Sequence, residues 1–172
     1  MTAIPLRINT PAGPVELTLE AEEGPVHVST VAADAHLLAN ALMEASERFV
    51  SERGFPISCR AGCSACCRHL ISVTPLEAFV LADAIAAMDE AAQAGIASRT
   101  AAVRERLEAI GLVDQIRTVA GEEGKKLVHT YFREQLPCPL LVDDCCSVYH
   151  SRPAGCRQLS VVSPAENCTH PK

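Results

Sequence analysis

The sequence predicts a mainly α protein: a small helical domain with an irregular cysteine-rich C-terminal segment, plus a short N-terminal β-hairpin appendage. Three observations carry this reading. Aromatic residues make up only 3% of the 172 residues and Trp is missing, so the core must be built from Leu, Val, Ile and Ala, which favours packed helices. Apolar residues recur at helical spacing through much of residues 31–136. Beyond Cys138 the periodicity stops and Pro, Gly, Ser and Cys dominate. The length suits one compact domain, and we divide the chain into an appendage at 1–30 and a helical domain at 31–172.

Residues 4–10 and 14–20 read as strands, because Ile4, Leu6 and Ile8, and then Val15, Leu17 and Leu19, alternate with other residues. Pro11, Ala12 and Gly13 supply the turn between them. Val26, Val28 and Val31 are candidates for a third short strand. A helix is expected over residues 31–53, with Leu38, Leu42, Ala45 and Phe49 on one face, stopped by Gly54 and Pro56. Thr74-Pro75-Leu76-Glu77 is a helix start, with Thr as N-cap, Pro in the first helical position and Glu closing a capping box. That box accounts for Glu77 better than a catalytic carboxylate does. The helix should run to Met88 or Asp89. After a polar, Ala-rich stretch, a further helix is expected at 97–110, then a turn or two at 112–119. Residues 121–124 read as a loop, and a last helix as 125–136, broken by Pro137 and Pro139.

The formal net charge of −6 argues against a nucleic-acid partner, which would want a basic face. The opening residues lack the charged and apolar regions of a signal peptide, and no run of about 18 apolar residues is present, so no membrane span is expected. The expected location is cytoplasmic. Thiols stay reduced there, so nine cysteines read as ligands and not as a disulfide framework.

Four of the nine cysteines crowd into the stretch from Cys59 to Cys67, spaced Cys59-x3-Cys63-x2-Cys66-Cys67. A C-x2-C pair can place two thiolates on one ion across a tight turn, and Gly62 gives the backbone freedom to make it. The partners are Cys138, Cys145-Cys146, Cys156 and Cys168, without a second knuckle, so a zinc ribbon fits poorly. Plain packing, a redox pair and radical chemistry fit the stretch less well. A buried helix face would have to accommodate Gly62, Ser64 and flanking arginines. A redox pair at Cys63 and Cys66 lacks its βαβ context. The Cys59-x3-Cys63-x2-Cys66 spacing is that of the radical-SAM cluster motif, but the strands of that barrel are missing. The spacing nonetheless shows that such a trio can hold an iron–sulfur cube with a fourth ligand from elsewhere. Four thiolates on zinc or on an oxidised four-iron cluster leave a charge of about −2. Arg60, Arg68, Arg152 and Arg157 are the cations nearest in sequence to offset it, by donating to sulfur. His69 and His170 are candidate substitute ligands.

Together with Cys138-Pro139-Leu140-Leu141, the run from Cys146 through Tyr149, Arg152-Pro153 and Cys156-Arg157, and Cys168, the stretch resembles the YkgJ-type cysteine-cluster family. That family has a CxxCxxCC-like hallmark and is described as chelating zinc or iron. The resemblance covers roughly residues 59–168. It implies eight metal ligands: Cys59, Cys63, Cys66, Cys67, Cys138, Cys146, Cys156 and Cys168. Cys145 is left over, and the x3 spacing after Cys59 departs from the x2 of many relatives. Tyr149, Arg152 and Arg157 belong to the same motif, as residues that shape and neutralise the site.

The resulting expectation is a metal-binding protein, with the cysteine-rich segment wrapped around an iron–sulfur cluster, 4Fe-4S in type, or around zinc, and with redox or electron transfer as the role. Two alternatives belong to other classes. The family is similar to a domain of flagellin lysine N-methylase, which implies a metal-dependent modifying enzyme, with Tyr149, His150 and Arg152 as first candidates for chemistry. A zinc-stabilised interaction module is the other. The expected partners are metal ions, with neither nucleic acid nor membrane.

Overall fold

The computed structural model describes residues 2–60, 62–119 and 121–169, with Ser29 through its backbone alone. It is mainly α, with an N-terminal hairpin and a cysteine-rich C-terminal region. The described chain divides into two compact units. The first comprises Met1–Cys59, Ser72–Ala84 and His150–Pro164; the second comprises Arg60–Ile71, Ile85–Tyr149 and Ala165–Lys172.

In the first unit, β1 (Thr2–Thr10) and β2 (Gly13–Ala21) pair antiparallel. Ile4 stands opposite Leu19, Leu6 opposite Leu17 and Ile8 opposite Val15. Alternation puts this apolar set on one face, where Val15 is buried, while Arg7 and Glu16 pair at 3.2 Å in the open. Helix α1 (Val28–Ser51) packs beside β2. It starts where a third strand was expected. Ala32, His36 and Ala45 are buried at helical spacing, and that face extends the helix through Val28. Its end is as expected: Gly54 takes φ 83°, and its N–H and that of Phe55 bond back to Ser51 and Val50, a Schellman cap.

Helix α2 (Pro75–Ala86) begins with both halves of its capping box formed. The Thr74 N–H donates to Glu77 at 2.8 Å, and the Glu77 N–H donates to the Thr74 hydroxyl at 3.3 Å.

The second unit is built on α3 (Glu90–Ala109), α4 (Leu112–Thr118) and α5 (Gly121–Arg133), with Ile96, Leu112, Leu127, Tyr131, Phe132 and Val148 buried. Helix α3 starts seven residues earlier than expected, at Asp89, whose side chain accepts the Ala92 N–H at 2.8 Å. The polar, Ala-rich stretch before residue 97 is good helix once that cap is in place. Residues 121–124, expected to be a loop, are the first turn of α5. Glu122 and Glu123 suit the positive end of a helix dipole, and Glu122 pairs with Lys125 at 2.5 Å.

Past Pro137 the chain forms a short hairpin, β3 (Leu141–Val142) with β4 (Cys145–Cys146), then, in the first unit, the one-turn helix α6 (Ala154–Gln158). No described helix is long and apolar enough to cross a membrane.

Candidate metal centre

The second unit assembles thiols from three chain segments. Gly62, at φ 79°, turns the chain into a short 3₁₀ helix, Ala65–Arg68, whose Ala65 is buried. Cys67 donates its N–H to the Ser64 carbonyl at 2.9 Å, and His69 to that of Cys66 at 3.1 Å. Cys66 and Cys67 are half-buried on this turn and their thiols are hydrogen-bonded to each other. Cys138 docks on the same turn: its N–H donates to the Cys67 carbonyl at 2.7 Å. The residues on either side are prolines, so the flanking backbone is stiff and offers few donors of its own.

The β3–β4 hairpin brings the third segment. Leu141 pairs with Cys146 and Val142 with Cys145. The two-residue turn, Asp143-Asp144, has φ 48° and 58°, both in the left-handed region that a type I′ turn requires. Successive strand residues face opposite sides, so only one of the vicinal thiols can face in. Cys146 is the half-buried one and Cys145 is exposed. The Ser64 hydroxyl donates to Asp144 at 2.5 Å, and Arg68 holds the Ser64 carbonyl at 3.1 Å, which ties the hairpin turn to the first cysteine segment.

Cys66, Cys67, Cys138 and Cys146 lie near enough to oppose one another's ionisation. Cys67 is pushed far above the ordinary thiol range, first by its hydrogen bond with Cys66, then by burial, then by the charges of Cys66, Cys138 and Cys146. Burial pushes Cys138 up, and Cys146 and Cys66 add to it, against the pull of the Leu140 N–H and Arg99. Thiols close enough to repel each other as thiolates are donors whose ionised forms a cation would favour. Among the described residues, no three Cys, His, Asp or Glu side chains already surround a point at ion-binding distances. The donor chemistry suits a soft, thiophilic metal; the coordination geometry is not closed.

The remaining predicted ligands are placed as follows. Cys63 lines an open recess of the second unit with Ser64, Arg68, Gln135, Glu166 and Thr169. Cys168 sits on a 3₁₀ turn, Ala165–Thr169, that packs against the Ala65–Arg68 turn. Cys59 and Cys156 belong to the first unit. Cys59 is exposed, and next to it the Ser58 N–H donates to the Val161 carbonyl at 2.8 Å. Cys156 lies on α6 and is half-buried.

Of the predicted supporting residues, Arg68 is engaged with Ser64, Arg60 is exposed, and Tyr149 is 53% exposed. Arg157 donates to the carbonyls of Arg152 and His150 and to the Asn40 side chain. His69 stacks on Phe132 with centroids 4.2 Å apart, and burial holds its pKa down. His170 lies outside the described residues.

Sequence reasoning missed Ser64, Asp144, Asn40 and His36. The Asp143-Asp144 pair before a cysteine was a readable turn signal; Asn40 and His36 carried none.

A set of thiols drawn from separated segments, crowded and part-buried, has the donor chemistry of a metal-binding protein. The chain belongs to the CxxCxxCC family, described as a "Putative zinc- or iron-chelating domain", which matches residues 58–170. Neither a curated protein nor a solved structure gives a match to the chain.

Proposed function

We propose that this chain carries an iron–sulfur centre, 4Fe-4S in type, and serves in electron transfer or redox chemistry in the cytoplasm. The observation that carries the reading is the gathering of Cys66, Cys67, Cys138 and Cys146 in one unit, with the thiols raising one another's pKa. Four thiolates from a 3₁₀ turn, a Pro-flanked loop and a hairpin are the ligand count that such a cluster takes. The choice of iron–sulfur over zinc rests on the lack of a second C-x2-C knuckle in the sequence. Cys59, Cys63, Cys156 and Cys168 are proposed as the remaining four of the eight ligands. Arg60, Arg68, Tyr149, Arg152 and Arg157 are proposed to shape and neutralise these centres.

The test is anaerobic purification of the full chain, with metal and acid-labile sulfide analysis and an electronic spectrum. A brown protein with iron and sulfide in near-equal amounts is expected. A colourless protein with stoichiometric zinc and no sulfide would replace the redox role with a structural one, in which zinc holds the cysteine segments together.

A further inference from the structure

Cys156 sits in a segment that charged side chains hold on both sides of it. Two residues before it, the Ala154 N–H donates to Oε1 of Glu77 at 2.7 Å. The other oxygen of Glu77 takes the N–H and hydroxyl of Thr74 at 2.8 and 2.9 Å, so one carboxylate serves α2 and the start of α6 together. One residue after Cys156, Arg157 spends all three guanidinium nitrogens. Nε donates to the Arg152 carbonyl at 2.8 Å, Nη2 to the His150 carbonyl at 2.6 Å, and Nη1 to Oδ1 of Asn40 on α1 at 2.6 Å. The guanidinium thereby folds residues 150–157 onto themselves and fixes them to α1.

His36 lies one turn before Asn40, buried, and its Nε2 has no hydrogen-bond partner among the described residues. The charges of Arg157 and Glu77 both act on its imidazole.

A helix of five residues does not stand alone. At its start, the N–H groups of Cys156 and Arg157 both bond to the Pro153 carbonyl. Glu77 and Arg157 therefore do more than satisfy themselves. Each spends its charge on backbone groups of the one short segment that carries this thiol.

We propose that Glu77 and Arg157 are positioning residues for Cys156, holding its thiol in place in the metal-free protein so that metal meets a ligand already set. The inference rests on Cys156 being one of the ligands. The described bonds of both residues reach Cys156 through the backbone, so they govern how tightly metal is held and not which atoms hold it. Loss of an outer partner of this kind typically costs about 10- to 100-fold in metal affinity.

The experiment uses the full chain, metal-free and reduced, titrated with cobalt(II) as a probe of thiolate ligation. Affinity, the spectrum at saturation, and the rate at which Cys156 is alkylated before metal is added are read for the parent and for Arg157→Lys, Asn40→Ala and Cys156→Ser. Alkylation is followed peptide by peptide, with Cys66 and Cys138 as internal comparison. Arg157→Lys keeps the charge but cannot fork to three acceptors. It is expected to weaken cobalt binding about 10- to 100-fold, to reach the parent's saturated spectrum, and to expose Cys156 to alkylation while Cys66 and Cys138 keep the parent's rates. Asn40→Ala removes one arm of the clasp, should do the same more weakly, and stands in if Arg157→Lys does not fold. A purely structural role would lower the melting temperature and leave cobalt affinity and Cys156 alkylation at the parent's values; that result overturns the proposal. Cys156→Ser separates the two layers. If it retains the parent's full saturated spectrum, Cys156 is no ligand and the underlying reading fails. If it loses thiolate intensity while Arg157→Lys and Asn40→Ala both bind like the parent, the positioning role alone fails.

Discussion

The two units hold their cysteines by different physics. In the second, the backbone does most of it: a 3₁₀ turn, the Cys138 N–H on the Cys67 carbonyl, and a tight hairpin. In the first, long charged side chains do it, with Glu77 and Arg157 supplying four strong bonds around Cys156. Backbone pairing sets the direction of a thiol through strand alternation and turn type, and few side chains can spoil it. A charged clasp depends on single residues and on pH. The difference teaches where each half should fail: the second unit at its thiols, the first at the side chains that brace them.

The largest expected effect tests the second unit. Cys146→Ser should cost the chain metal, while Cys145→Ser keeps the parent's content, measured as metal per chain after anaerobic purification. Equal losses from the two would break the claim that hairpin geometry, and not proximity, selects the ligand.

A smaller effect belongs to the first unit. Glu77→Ala removes the carboxylate half of the α2 capping box and the acceptor of the Ala154 N–H, and should cost about 2 kcal/mol in a urea melt of the metal-free chain. Thr74→Ala removes only the cap and should cost about 1 kcal/mol. Identical losses would mean that the Ala154 bond contributes nothing to stability.

The smallest is a pH dependence. His36 is held below its ordinary pKa of 6.5, first by burial and then by Arg157, with Glu77 opposing. As pH falls, the unfolded chain therefore takes up this proton before the folded one does. The contribution is intact above 6.5 and is lost as pH falls through the depressed folded value. Glu77 works in the same sense at more acid pH. Burial raises it, but the N–H bonds from Thr74 and Ala154, the Thr74 hydroxyl and His36 bring it below the ordinary 4.5. Thermal melts of the metal-free chain between pH 7 and 5 should show a shallower slope for His36→Leu than for the parent. Matching slopes would remove His36 from the clasp.

Local chemistry was legible in the sequence wherever cause and effect lie within a few residues. Gly54 ends α1, Thr74 and Glu77 cap α2, and the hairpin of β1 and β2 follows from plain alternation. Helix starts in low-contrast sequence were not legible. Asp89 and the Glu122-Glu123 pair decide α3 and α5 through end effects that an apolar-periodicity reading passes over. The cysteines announced a thiol-rich metal site, and their spacing alone could not say which segments meet. That depends on bonds such as Ser64 to Asp144, 80 residues apart, and Glu77 to Ala154, 77 apart, which leave no local pattern to find.

The turn at Asp143-Asp144 has one further consequence. Cys145 and Cys146 are chemically the same, and nothing in composition distinguishes them. Their fates are assigned by parity, that is, by whether an even or an odd number of residues separates a thiol from the start of the hairpin. Inserting or deleting one residue in that turn, with every cysteine kept, would exchange the inward and outward members of the pair. In this chain a length, as much as a residue, encodes a candidate metal ligand.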